Sequence, residues 1–532
     1  MTANDAPWQT IPELLADSTR RYADLEALVD GDVRLTFAQL GDRVHEAARA
    51  HIASGMQPGD RFAIWAPNIW EWPIVALGGH EAGAVLVPIN TRFKGREAAY
   101  VLRKSKARVL FTVTEFLDTD YVATLRGAGE ELPDLEQIVV LRGPVPEGCI
   151  SYDEFLARAA NVDDAVRAER SAAVQGDDLC LIMFTSGTTG APKGAMLVHR
   201  AICRAYLAWA DVVGLRAGDR YILINPFFHS FGFNAGVLVC IMKGACILPQ
   251  LTFDVPEVMR RIPRDRISVL VGPPTIYQTI LNHPDFEQFD MSSLRLAVTG
   301  AAAIPVELVK QMRDRLGFEV VVTGYGLTES SGIATMCRHD DDPETIAHTS
   351  GRAIPDVEVK VVDAKGNEVP RGEPGEILVR GYNVMRGYLD DPEQTAEAID
   401  ADGWLHTGDI GVMDERGYVQ ITDRVKDMFI NGGFNAYPAE IENLMLRHPD
   451  IAQVAVVGVP DARMGEVGMA FIVPRTGSSP NADEIISWCR GEMANYKVPR
   501  YIEFVDELPL NASGKVLKYE LRERGKQLIG AA

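Results

Sequence analysis

Short, continuously apolar runs separated by amphipathic stretches dominate most of the chain. Arg61 to Ala66, Ala84 to Pro88 and Arg108 to Val113 are strand candidates, and Phe37 to Ser54 has helical spacing. Between residues 180 and 325 the runs CLIMFTSG, YILINPF, ISVLVGPP and LRLAVTG each stop at Gly, Pro or a polar residue. Runs without a polar alternate suit strands covered on both faces. Helix-like Arg200 to Val213 and Val306 to Leu316 lie between them, so the pattern predicts parallel crossover units in α/β layers. After Ile354 the texture becomes VEVKVVDAKGNEVPRGEPGEILVRG, whose alternation and turn residues predict antiparallel hairpins. From about residue 425 a helix (Ala439 to Arg447), strands VAVVGV and MAFIVP, a second helix (Ala482 to Met493) and the strand YIEFV suffice for a small α+β domain. The expected fold class is α/β: a large domain of several subdomains over 1–425, with parallel sheets flanked by helices and a β-rich part, then a small mobile α+β domain over 426–532.

Charge narrows the range of partners. The 532 residues carry 53 Lys plus Arg against 74 Asp plus Glu, a formal charge of −21. So acidic a surface argues against nucleic acid and anionic membranes, both of which require dense positive charge. A polyanionic small ligand must then meet a local basic cluster. Seven scattered cysteines without a CxxC pair read as reduced thiols. The opening MTANDAPWQT has no basic residue of a secretory leader, and no apolar run approaches the ~18 residues of a membrane span. The expectation is a soluble cytoplasmic protein, and a homodimer is left open.

Candidate chemistry starts at TSGTTGAPKG, Thr185 to Gly194, directly after the apolar CLIMF. Four hydroxyls, three glycines and one lysine in ten residues make a loop whose backbone amides can point at phosphate oxygens, with Lys193 adding charge. It departs from the P-loop pattern, because Gly194 follows the lysine and AMLVH reads as extended instead of opening a helix.

The string resembles the signature of the adenylate-forming superfamily, which includes acyl-CoA and aryl-CoA synthetases, peptide-synthetase adenylation domains and firefly luciferase. Four further motifs agree in order: YGLTES at 325–330, GWLHTGDIG at 403–411, DRVKDMFINGGFNAYPAEIE at 423–442 and LPLNASGKVLKYELR at 508–522. The resemblance implies an ATP-dependent, AMP-forming acid:CoA ligase using ATP, Mg²⁺ and coenzyme A on a carboxylic acid. Attack of the carboxylate on the α-phosphate gives an acyl-adenylate with a good leaving group, and the charge built on phosphate oxygens calls for cations and aimed N–H donors.

By the same resemblance, Thr185, Ser186, Gly187, Thr188, Thr189, Gly190 and Lys193 hold the phosphates, while Glu329 and Thr185 serve the metal and Thr328 lies beside the α-phosphate. Tyr325 stacks on adenine, and Asp409 with Arg424 grips the ribose. Lys515 bridges substrate carboxylate and α-phosphate, Lys426 is the hinge, and Gly432 with Gly433 lets pantetheine pass. His229 guards an acyl pocket walled by Phe231, Phe233, Thr299, Gly300, Ala301 and Gly326. Taken one at a time, several have plainer roles: Glu329 as a cap, Tyr325 and His229 as packing, Asp409 as a turn residue, Lys515 as a solvated lysine. Where many CoA ligases have GGEN this chain has Gly432, Gly433, Phe434 and Asn435, which removes any role tied to that glutamate. The strings NPFFHSFGF, GPPTIYQTILNHPDF and DMSSLRLAVTGAA are most similar to the actinobacterial branch acting on a bicyclic indanedione propionate left from steroid rings. A fatty acid is the other expected substrate. Carrier-protein loading, luciferase-like oxygenation and nucleotide binding without catalysis are the rival readings.

Overall fold

The computed structural model describes residues 6–185, 192–300, 304–363, 365–424, 429–436, 438–509, 516 and 518–530. Two large sheets with parallel centres carry most of it. In the first, strands Leu179–Thr185, Val85–Pro88, Arg61–Trp65, Ala107–Val113, Gln137–Arg142 and Ile150–Ser151 run parallel in that order. Lys193–Val198 and then Gly387–Tyr388 are added antiparallel at one edge. In the second, Val320–Tyr325, Leu296–Gly300, Val269–Val271, Arg220–Leu223, Cys246–Pro249 and Glu26–Asp30 are parallel, with antiparallel strands at both edges. Arg61–Trp65, Val85–Pro88, Ala107–Val113, Leu179–Thr185, Arg220–Leu223, Val269–Val271 and Leu296–Gly300 are the apolar runs expected from the sequence. Their central residues are buried, as strands between helical layers must be.

Helices between the strands show why they form. Phe37–Ala53 starts at Thr36, whose hydroxyl accepts from the Gln39 N–H while the Gln39 side chain accepts from the Thr36 N–H. It buries Phe37, Leu40, Val44 and Ala47 at helical spacing. Glu71–Glu81 has no polar face: every residue in it is buried. It bears on the first sheet, while its Trp72 meets Phe227 and Phe233 of the second half at ring distances of 5.5 and 5.2 Å.

After Ile354 the expected hairpins are present as a four-stranded antiparallel sheet of Val357–Val362, Pro374–Gly381, Leu405–Met413 and Val419–Arg424. A further sheet contains Phe434–Ala436, Phe429–Asn431, Gly465–Pro474, Ile451–Asp461 and Tyr501–Phe504. Helices Pro438–Met445 and Ala482–Glu492 accompany it.

One side chain joins the two parallel sheets at the strand ends where the motifs gather. Asn68, 5% exposed, follows the Arg61–Trp65 strand of the first sheet. Its amide donates to the carbonyls of Leu223 and Asn225, both at 2.9 Å, and its oxygen accepts the Phe227 N–H at 2.8 Å. Asn225 in turn donates to the Val271 carbonyl at 3.0 Å. Asn68→Ala would orphan the Phe227 N–H and the Asn225 carbonyl, while the Leu223 carbonyl keeps the Gln250 N–H at 3.0 Å, a loss on the order of 3 kcal/mol. Thermal and denaturant unfolding should both show the drop; an unchanged midpoint would mean the sheets are held together elsewhere.

Candidate functional site

The glycine-rich segment connects two antiparallel strands, with Thr185 paired to Lys193 in the ladder. The expected extended segment is there as the strand Lys193–Val198, except that His199 already opens the next helix, His199–Val213. Ser186, Gly187, Thr188, Thr189 and Gly190 lie outside the described residues, as do Ala301, Lys426 and Lys515.

Glu329 comes from the opposite side of the site. Thr328–Ser330 forms one tight turn, closed by the Ser330 hydroxyl accepting the Leu327 N–H at 2.9 Å and followed by Ser331 at φ +58°. The turn is fastened where Ser331 donates to the Asn383 carbonyl at 2.7 Å and Met385 N–H donates to the Glu329 carbonyl at 2.8 Å. The Glu329 carboxylate accepts from the Tyr388 hydroxyl at 2.8 Å and from the Thr185 hydroxyl at 3.4 Å. A carboxylate beside a hydroxyl is a hard oxygen set that fits Mg²⁺ when phosphate oxygens supply further ligands.

Lys193 reaches the same place. Its ammonium donates to Gln394 and lies 5.1 Å from the centre of the Tyr388 ring. A cleft beside it is lined by Tyr100, Lys104, Lys193, Tyr388 and Asp391. The two lysines concentrate positive charge locally in a chain of formal charge −21. Lys104, Tyr388 and Gln394 were missed by the sequence reading. MRGYLDD carries only turn signals; it is the pairing of Tyr388 with Ala195 that brings its ring to the site.

Tyr325, at the end of its strand, donates to Asp409 at 2.6 Å. Asp409 is 2% exposed and paired through its backbone with Arg424. Tyr325 and Asp409, from motifs some eighty positions apart, are thereby brought together, with an aromatic face beside a carboxylate. An adenosine offers the matching surfaces, a π-face and hydroxyl donors.

At the acyl side, His229 opens the turn Ser230–Gly232, its Nδ1 accepting the Phe231 N–H at 3.2 Å. In a neutral ring that bond leaves the proton on Nε2. A β-carbon on Gly300 would lie 3.2 Å from the Gly324 carbonyl oxygen and 4.0 Å from the Phe231 ring, so Gly300 opens towards Phe231. Thr299 is buried, and its hydroxyl has no partner among the described residues. Phe233 is elsewhere than expected: its ring packs between Trp72 and His80 in the core, away from Phe231. Gly326 also has a plainer reason to be small, because a β-carbon there would sit 2.4 Å from the Ile333 backbone.

Gly432 and Gly433 have φ of +58° and +83°, a left-handed turn that suits glycine. A β-carbon on Gly433 would face Pro273 at 3.7 Å. The pair therefore lies against the end of the Val269–Val271 strand. Among the described residues no group of three or more His, Cys, Asp or Glu is arranged to hold a metal by itself, and every described cysteine is free.

Comparison with known proteins agrees with this geometry. Residues 15–389 match the model of the AMP-binding enzyme family, and 440–515 match the AMP-binding enzyme C-terminal domain. The chain is 50% identical over 523 residues, 97% of its length and 99% of the relative's, to 3-[(3aS,4S,7aS)-7a-methyl-1,5-dioxo-octahydro-1H-inden-4-yl]propanoyl:CoA ligase of Rhodococcus jostii (strain RHA1). It is 49% identical over 517 residues, 97% and 99% of the two chains, to the ligase of the same name from Mycobacterium tuberculosis (strain ATCC 25618 / H37Rv). Among solved structures, the anthranilate CoA ligase AuaEII in complex with anthranoyl-AMP superposes with a TM-score of 0.74, at 30% identity and covering the whole of both chains. The chain belongs to the AMP-binding enzyme family and is an AMP-forming acid:CoA ligase, with ATP, Mg²⁺ and coenzyme A as the cofactors of its reaction.

Proposed function

We propose that the acid is a bicyclic, steroid-derived propionate, and that the residues gathered at the two sheet ends divide the work as the motifs imply. The observation that carries the division is the meeting of Thr185, Lys193, Glu329 and Tyr388 within hydrogen-bond or ring contact, beside the separate Tyr325–Asp409 pair. A triphosphate needs cations and hydroxyls, and an adenosine needs an aromatic face and a carboxylate; the two sets lie at neighbouring strand ends. Glu329 and Thr185 would hold Mg²⁺, which would supply positive charge against the phosphate oxygens. Lys193 and Lys104 neutralise the polyphosphate tail. His229, with Phe231, borders the channel through which the acid is presented.

The division of the chain near residue 425 has a mechanical reason. Adenylation and thioester formation use one acyl carbon, so the lysine serving the first and the thiol serving the second cannot occupy the same approach. A domain from 426 to 532 that turns about Lys426, withdrawing Lys515 and presenting Gly432 and Gly433, resolves the conflict.

Two supports bear on the acid. The relatives at 50% and 49% identity are named for the dioxo-octahydroindenyl propionate. Gly300 puts no side chain between the Gly324 carbonyl and Phe231, which suits a bulky acid there. Competition between the bicyclic propionate and palmitate for limiting enzyme, read by the mass of the CoA product, should favour the bicyclic acid; a preference for palmitate overturns the substrate assignment.

Gly300→Leu tests the pocket itself. The added side chain would press on the Gly324 carbonyl and on Phe231. Overpacking of ~1–3 kcal/mol should lower kcat/KM for the acid by about 5- to 100-fold while ATP binding measured by calorimetry is retained. An unaltered kcat/KM would mean that the acid lies elsewhere.

A further inference from the structure

Lys497 carries a fully enclosed ammonium outside the nucleotide site, with a side-chain exposure of 0%. It lies just after the Ala482–Glu492 helix, and its Nζ donates to Glu440 at 2.7 Å and to Glu97 at 2.6 Å. Glu440 is close by, on the helix Pro438–Met445. Glu97 is 400 residues away, in the helix Gly95–Ser105 of the large domain. The ammonium also lies 4.6 Å from the Phe93 ring centre. A buried lysine is tolerated only when paired, and one of its two partners is supplied from across the domain boundary.

The contact does not stand alone. Arg92, next to Phe93, lays its guanidinium 4.1 Å over the ring of Phe434, and Phe434 stacks on Tyr496 at 5.0 Å and 28°. Arg96 pairs with Glu492 at 2.7 Å. Phe434 is the residue that replaces the glutamate of the GGEN pattern, so the departure from that pattern is an aromatic platform for Arg92. The assembly is tied to the glycine pair, because Asn431, just before Gly432, donates its amide to the Tyr496 carbonyl at 2.8 Å.

Orientation follows from the two faces of the small sheet. Val456, Ala470 and Ile472 belong to one apolar cluster with Tyr496, against which Phe434 packs. Their sequence neighbours Ala455, Val457, Met469 and Phe471 belong to the other, as alternation along a strand requires. Val516, the residue after Lys515, packs on this second cluster. With Lys497 seated between Glu97 and Glu440, Gly433 is turned to Pro273, and Val516 is on the far face of the sheet.

We propose that the Lys497–Glu97–Glu440 bridge, with Arg92 on Phe434, is a latch that holds the small domain in the orientation for thioester formation, Lys497 and Glu97 being positioning residues for that half-reaction alone. This rests on the acid:CoA ligase reading. When the domain turns for adenylation, the Glu97 bond parts while Lys497 keeps Glu440 in its own domain, so the charge is never left bare. Differential contacts of this kind set the balance between two orientations.

The test uses the full-length enzyme and the two half-reactions measured apart: acid-dependent acyl-adenylate formation without CoA, and single-turnover transfer from supplied acyl-adenylate to CoA. Glu97→Gln removes the cross-domain charge, yet its side-chain oxygen can still accept the Lys94 N–H that Glu97 now caps at 2.8 Å. Transfer should fall by about 5- to 100-fold, the usual range for coupling between two states, with adenylate formation unchanged or faster. Lys497→Arg should keep most of the transfer rate and Lys497→Met should lose it. Equal slowing of both halves by Glu97→Gln, or no change in either, overturns the latch. A wild-type enzyme that forms adenylate but never transfers it to CoA removes the ligase reading and the latch with it.

Discussion

The Glu329 carboxylate is held from two directions, by the Thr185 hydroxyl of one parallel sheet and by the Tyr388 hydroxyl of a strand laid on that sheet's edge. Its own turn belongs to the other parallel sheet, following the strand Val320–Tyr325. The group expected to serve the metal is thus defined only while both sheets keep their relative position. Asn68 maintains that position by bonding to backbone of the second sheet at three points. Both contacts lie beyond the carboxyl ends of parallel strands, where loops converge and ligands of open α/β sheets bind.

An acidic enzyme handling ATP must gather positive charge locally and leave the rest of its surface repulsive. Lys193 and Lys104 are the two lysines that line the cleft shared with Tyr388 and Asp391. Gln394, a neutral acceptor, receives a hydrogen bond from Lys193 and thereby directs the ammonium. A carboxylate in that position would compete with phosphate for the same charge. The neighbouring Tyr325–Asp409 bond works the same way, holding the carboxylate in place through a neutral partner.

Much of this was legible in the chain. Uninterrupted runs such as CLIMF and LRLAV announce strands covered on both faces, and the structure has them as central parallel strands. Thr185, Lys193, Tyr325, Glu329 and Asp409 could be named because each stands in a dense local motif. Tyr388, Gln394 and Lys497 could not: their meaning comes from partners 57 to 400 residues away, and nothing in MRGYLDD or NYKVPR states which strand or helix will face them. Phe233 shows the converse limit. It stands in the same motif as Phe231, but helical rotation turns its ring into the core against Trp72 and His80. Gly326 is required by the approach of the Ile333 backbone, which volume alone along a sequence does not reveal.

The central claim is that carboxylate activation is completed at the Glu329 and Lys193 site before the thiol takes part. Acid-dependent exchange of labelled pyrophosphate into ATP, measured without CoA, tests it most directly. The account predicts exchange with acid alone, and release of AMP together with an acyl-CoA thioester once CoA is added. Exchange that requires CoA, or formation of ADP and phosphate in place of AMP and pyrophosphate, would contradict it.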